Sequence, residues 1–307
     1  MKHILLIFLD GIGLGDDDPA LNPFAIAHTP TLHSLSGGKR WLRDTGVQVS
    51  ERAIFVPTDP RVGVPGKPQS ASGQAMILTG RNIPALIGEH YGPRPNAAIR
   101  QLLAEDNFFK QVSGRGLPAA LLEAYPPRFH EGIDSGKRLR SSYQQALHEA
   151  GIPLFDEKAL YSGDALAVDW TGEGWRTELG YTDSPVYTPH QGGVRMVELS
   201  RRYAFAFFSH WMTDVIGHRG TLADGVRGLE LFDRVMAGAL SAWNDQEGLI
   251  VITSDHGNLE DMSNTKHTLN DVPTVIIGAG KDLFAQELTT LADIVPRMAA
   301  YLFGDGM

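Results

Sequence analysis

The sequence predicts an α/β protein, a doubly wound and mostly parallel sheet with a smaller inserted cap domain. Three observations lead there. Short continuous apolar runs, rich in β-branched and aromatic residues, lie at His3–Leu9, 203–208, 249–253 and 272–277. Runs of this kind mark strands buried on both faces of a parallel sheet. Between the second and third run, 224–243 carries Leu229, Phe232, Met236, Leu240 and Trp243 at helical spacing, which makes strand, helix and strand a βαβ unit. The middle of the chain, 84–197, is instead rich in Gly, Pro and Arg.

Taken in order, the first strand stops at Asp10-Gly11. A helix is expected over 71–79, with Ser70 at its start and Gly80 at its end. The middle region holds two helical stretches, 96–110 and 138–149, the second ended by Gly151 and Pro153, and a short apolar run at 117–124 that suits a strand. The C-terminal stretch 291–302 is amphipathic, and Thr290 with Asp293 spaces a capping box before it. The expected division is a catalytic core of 1–83 and 198–307 with a cap of 84–197.

Composition narrows the function. The 307 residues include 42% hydrophobic residues, enough for a real core. The net charge of −9 argues against a general nucleic-acid or anionic-membrane surface. A phosphate-bearing substrate would therefore be met by local Arg, Lys or a bound metal. With no cysteine, disulfides, thiolate zinc sites, iron–sulfur clusters and cysteine nucleophiles are all excluded. The apolar run from Ile4 to Leu9 is too short for a signal-peptide core or a membrane span. The expected setting is cytoplasmic, and the expected partner is a small phosphorylated molecule. The oligomeric state stays open.

The strand ends carry the chemistry. Asp10 ends the first strand, Asp214 and His218 follow the second, Asp255 and His256 follow the third, and His267 precedes the fourth. Ligands of open α/β sheets bind at the carboxyl ends of the strands. Asp214 and His218, four apart, point the same way from one helical turn. Singly, each residue reads as a turn, capping or surface residue. Jointly, three Asp and three His supply ligands for two divalent ions, Mn²⁺ or Zn²⁺. Two such cations clamp the attacking and leaving oxygens of a phosphoryl transfer. Ser70, in Pro68-Gln69-Ser70-Ala71-Ser72-Gly73-Gln74, is either a helix cap or a nucleophile, with Ser72 as its rival in the same loop. In the insert, Tyr125-Pro126-Pro127-Arg128-Phe129-His130 is the most unusual string. Arg128 there, and Arg94, Arg138 and Arg140, could meet a phosphate or carboxylate.

Leu9-Asp10-Gly11, Ser70-x-x-Gly73, Asp214-x-x-Gly217-His218, Asp255-His256-Gly257-Asn258 and His267 stand in the order that resembles the alkaline phosphatase superfamily. The likeness is to the branch of cofactor-independent phosphoglycerate mutase and phosphopentomutase, and it covers about 1–80 and 203–303. It implies one ion on Asp214, His218 and His267, and another on Asp10, Ser70, Asp255 and His256. Ser70 would be the nucleophile and carry the phosphoryl group. Two positions depart from the pattern: Gln74 stands where the family often has His, and Arg202 falls where the glycerate mutases have a lysine near the phosphate. The resemblance implies a phosphomutase-like enzyme working through phosphoserine. The alternatives are a metal-dependent phosphatase or phosphodiesterase, or a non-catalytic protein that binds metal and a phosphorylated ligand.

Overall fold

Strand β1 (His3–Leu9) is buried at every position and has no polar face, so it must lie in the middle of a sheet covered on both sides. The computed structural model, which describes residues 2–304, places it there. The other strands are β2 (Gln48–Val49), β3 (Ala53–Thr58), β4 (Ala119–Leu121), β5 (Phe205–His210), β6 (Gly248–Thr253) and β7 (Val272–Gly278). Their order in the sheet is β2-β3-β7-β6-β1-β5-β4. Strands β4, β5, β1 and β6 pair in parallel, with Ile7 opposite Phe208 on one side and Ile252 on the other. Strand β7 runs antiparallel between β6 and β3, and β2 closes that edge, also antiparallel.

Alternation along β1 divides the core. Ile4, Leu6 and Phe8 face one layer with Ala75, Met76, Leu103 and Phe108. Leu5, Ile7 and Leu9 face the other with Met196, Leu229, Phe232 and Met236. The helix Ser70–Thr79 is buried along its whole length, because it runs between the sheet and the helices of the middle region.

Three element boundaries differ from the sequence expectation, and the middle region is seen to contact the core. The second strand starts two residues later than expected and ends at His210, so its end reaches closer to Asp214. The stretch 96–110 is two helices, Ala97–Glu105 and Phe108–Ser113. The Asn107 side chain caps the second by accepting from the Lys110 amide at 3.1 Å, which breaks the run. The helix expected over 138–149 begins at Ser142, where Ser141 and Gln144 form a capping box. Finally, 84–197 does not stand apart from the core. Its strand β4 pairs with β5, and Phe108 packs edge-on against Phe205, ring centroids 4.7 Å apart. The helix Pro189–Ser200 lies against the helix Leu222–Ala242 so closely that a Cβ on Gly193 would stand 1.9 Å from the Val235 carbonyl oxygen. Only the small cluster of Ala124, Leu160, Ala165, Ala167 and Trp175 forms a separate packing unit within the middle region. Among the described residues no helix is long and apolar enough to cross a membrane.

Candidate metal centre

The parallel strands deliver their side chains to one edge. Asp10 directly follows β1, and Asp255 and His256 follow β6 by one residue. Asp214 and His218 sit on the helix Met212–Arg219 just after β5, and His267 lies in the loop that leads into β7. Ser70 opens its helix on the same side. All seven predicted ligand residues converge.

Around His256 the geometry is tight. Its Nε2 lies 3.0 Å from Ser70 Oγ, 3.4 Å from Asp10 Oδ1 and 3.7 Å from Asp255 Oδ2. Asp10 Oδ1 and Asp255 Oδ2 are buried and have no hydrogen-bond donor. Two buried carboxylates with bare oxygens this close repel one another unless a proton or a cation lies among them. Burial, then the charges of Asp255 and Asp214, drives the Asp10 carboxyl well above the usual carboxylate range; the Arg94 guanidinium pulls it the other way. Burial and the Asp214 charge do the same to Asp255. Burial holds the His256 ring well below the usual imidazole range, hence neutral, with a lone pair to offer.

A second set lies beside the first. His267 Nδ1 donates to the Pro68 carbonyl at 2.8 Å, and His218 Nδ1 donates to the Thr265 carbonyl at 2.7 Å. Each ring therefore turns an unprotonated Nε2 inward, the arrangement that backbone carbonyls impose on metal-binding histidines. The two Nε2 atoms are 3.2 Å apart, and Asp214 Oδ1 lies 3.3 Å from one and 3.9 Å from the other. The His256 and His267 rings stack, with centroids 3.7 Å apart, and join the sets. Asp10, Asp255 and His256 form one group able to hold an ion, and Asp214, His256 and His267 form another. Oxygen and imidazole donors without thiolates suit Mn²⁺ or Zn²⁺. The bare oxygens and inward nitrogens fit divalent metal binding.

Two devices hold this constellation. Glu260, only 2% exposed, accepts from the amides of Gly13 at 3.0 Å and Asn258 at 2.8 Å, from Asn270 Nδ2 at 2.9 Å and from the Thr268 hydroxyl. One carboxylate thus ties together the loop after β1, the loop after β6 and the segment carrying His267. The second device is Gly73, one turn into the helix that Ser70 opens. A Cβ there would stand 2.8 Å from Asp255 Cβ and 2.9 Å from the Asp255 carbonyl oxygen, so only glycine lets the helix approach the metal loop.

A cavity of about 430 Å³ opens onto Asp10, Ser70 and Asp214. Gln74 lines it and donates to Asp10 Oδ2 at 3.2 Å, so the residue in place of the family's histidine braces a carboxylate. Arg94 and Arg128, both exposed, line it with Arg138. Arg140 does not reach the wall. Arg202 is a correction to the expected substrate contacts: it sits at the amino-terminal approach to β5, the edge opposite the site. There it pairs with Asp164 at 2.6 Å.

The sequence reading missed Glu260 and Glu123. Glu123 lies two residues beyond β4, a fourth strand end pointing at the cavity, and burial raises its carboxyl to about 7. It accepts from Tyr125 Oη at 3.2 Å and from the Ser209 hydroxyl. The strand-end rule that found the Asp and His ligands also points to Glu123, once 117–124 is taken as a strand of the main sheet.

Residues 193–305 match a family model described as the metalloenzyme superfamily. The 2,3-bisphosphoglycerate-independent phosphoglycerate mutase of Methylobacillus flagellatus is 32% identical over 111 residues, which is 34% of this chain and 22% of that protein. The mutase of the same name from Prochlorococcus marinus is 31% identical over 115 residues, 33% of this chain and 21% of that protein. The matched segment thus spans about a fifth of these relatives' length. Two solved structures share the fold over nearly the whole chain. The PH0037 protein from Pyrococcus horikoshii superposes with a TM-score of 0.59 at 17% identity, covering 100% of this chain and 98% of that one. The lipoteichoic acid synthase LtaP from Listeria monocytogenes gives 0.53 at 11% identity, covering 99% and 72%.

Proposed function

We propose that the chain, whose residues 193–305 match the metalloenzyme superfamily, is an enzyme of the alkaline phosphatase superfamily that transfers the phosphoryl group of a small phosphomonoester through Ser70 and acts as a phosphomutase. The observation that carries this reading is Ser70 Oγ, 3.0 Å from His256 Nε2 and beside two convergent ligand sets. Divalent ions held by Asp10, Ser70, Asp255 and His256 and by Asp214, His218 and His267 would lower the serine pKa and neutralise the transferring oxygens.

The chain's own groups do the rest. Ser70 stands at the first turn of a buried ten-residue helix, whose positive dipole end favours an incoming phosphoryl group. Its oxygen attacks phosphorus in line with the ester. The serine–phosphorus bond forms, the bond to the leaving oxygen breaks, and that oxygen gains a proton. Arg94 and Arg128 at the cavity rim are placed to orient the substrate's remaining charge. In the second half, a hydroxyl attacks the phosphoserine and frees Ser70. Walls around the site that retain the dephosphorylated intermediate favour a second hydroxyl of that same molecule over water.

Phosphorus NMR of the Mn²⁺-loaded protein with a panel of sugar phosphates, phosphoglycerates and phosphodiesters tests this. A new phosphoester resonance with little free phosphate is expected. Inorganic phosphate alone would replace the mutase reading with a phosphatase, and exclusive cleavage of diesters would make it a phosphodiesterase.

A further inference from the structure

The cavity wall away from Ser70 is not built for a small acyclic acid. Trp211 and Val215 flank Asp214 in sequence, line the cavity, and are 39% and 42% exposed. Single exposed apolar residues are ordinary. These two, however, face the same space as Trp175, Tyr125 and Tyr143, all buried, so the wall is aromatic on several sides. Tyr125 packs against Phe129, which also lines the cavity, with ring centroids 4.4 Å apart. The rim cation Arg138 lies 5.0 Å from the centre of the Phe129 ring.

An exposed tryptophan next to a phosphoryl site offers a flat, rigid face, and a bound ring both stacks on it and removes it from water. A three-carbon phosphorylated acid would fill only part of about 430 Å³ and leave Trp211 wet. From this wall we infer that the substrate is a phosphomonoester carrying an aromatic or heteroaromatic ring, which lies against Trp211 while the phosphoryl group sits at Ser70. The inference rests on the phosphoryl-transfer reading and deepens it. Two sources share this chemistry, a nucleoside monophosphate and the phosphate of an aryl-substituted diol.

Matched pairs test it, because each holds the acidity of the leaving alcohol nearly constant. Nucleoside 5′-monophosphates are compared with ribose 5-phosphate, and 1-phenylethane-1,2-diol 2-phosphate with propane-1,2-diol 1-phosphate, all of which keep a second hydroxyl as acceptor, as kcat/KM on the Mn²⁺-loaded protein. A preference of about tenfold or more for the ring-bearing member is expected, in line with stacking of a base on an aromatic side chain. The ring preference should collapse in Trp211→Ala and largely persist in Trp211→Phe. Preference in the first pair alone identifies a nucleoside, and preference in both identifies the ring itself. Turnover of all four esters without ring preference, or a preference unchanged in Trp211→Ala, overturns the inference and leaves phosphoryl transfer standing. No turnover of any monoester overturns both.

Discussion

Glu260 sits behind the ligands and touches no reacting atom, yet four donors from two loops, the one after β1 and the long one between β6 and β7, end on its carboxylate. Removing it orphans two buried backbone amides and frees the loops that present Asp255, His256 and His267. Glu260→Ala is expected to weaken Mn²⁺ binding by about 10- to 100-fold, the range seen for groups that orient metal ligands. Isothermal titration reads this directly, and wild-type affinity would show that the clamp is dispensable. Ser70 makes a different demand. Ser70→Ala removes the nucleophile while leaving the Asp and His donors in place. Turnover should vanish, and the metal should still bind within a few-fold. Residual turnover at wild-type rate would rule out a phosphoserine.

At the scale of elements, helix Ser70–Thr79 must come within van der Waals contact of the loop after β6, and Gly73 is what permits it. Gly73→Ala is expected to cost about 1–3 kcal/mol of stability through overpacking. Because the clash is with Asp255 itself, it should also lower metal affinity, which overpacking elsewhere would not do. Gly193→Ala provides the comparison. There the added methyl meets the Val235 carbonyl in the helix–helix contact, on the layer away from Ser70's helix. Denaturant unfolding and metal titration of both variants separate the two effects. Equal loss of metal affinity would contradict the role given to Gly73.

Across the whole molecule, buried acids set the response to pH. Glu123 has a carboxyl raised to about 7 in the fold against 4.5 when exposed. The folded state therefore holds a proton that the unfolded chain gives up between these values. Stability is fully present below about 4.5 and is lost as pH rises through about 7. The shift corresponds to roughly 3 kcal/mol. Glu123→Gln should flatten the decline in melting temperature between pH 5 and 8, and a slope unchanged from wild type would remove Glu123 as its source. Asp10 and Asp255 add to the same decline in metal-free protein, since burial raises both, with the charges of Asp255 and Asp214 acting on Asp10 and that of Asp214 acting on Asp255. A divalent cation requires these carboxylates ionised, so added Mn²⁺ should raise the melting temperature more at pH 8 than at pH 5. An equal gain at both values would mean that neither carboxylate binds the ion.

By itself, the sequence determined the α/β class, five of the seven strands among the described residues and the convergence of Asp10, Asp214, His218, Asp255, His256 and His267. These were legible because an all-apolar strand can only be interior, and because the residues at parallel strand ends share one edge. Other features depended on tertiary structure. Strand β3 carries Pro57 and lies between antiparallel neighbours, so its pattern alone did not mark a sheet strand. The middle region looked separable by composition, but long-range pairing of β4 with β5 ties it to the core. Glu123 and Glu260 belong to no motif in the sequence, and only folding gives them burial and partners. Arg202 failed as a substrate contact for the converse reason: adjacency to a strand says nothing about which end of it faces the site. Composition and periodicity report local preference, whereas a site is made by distant loops meeting, and that is decided by packing.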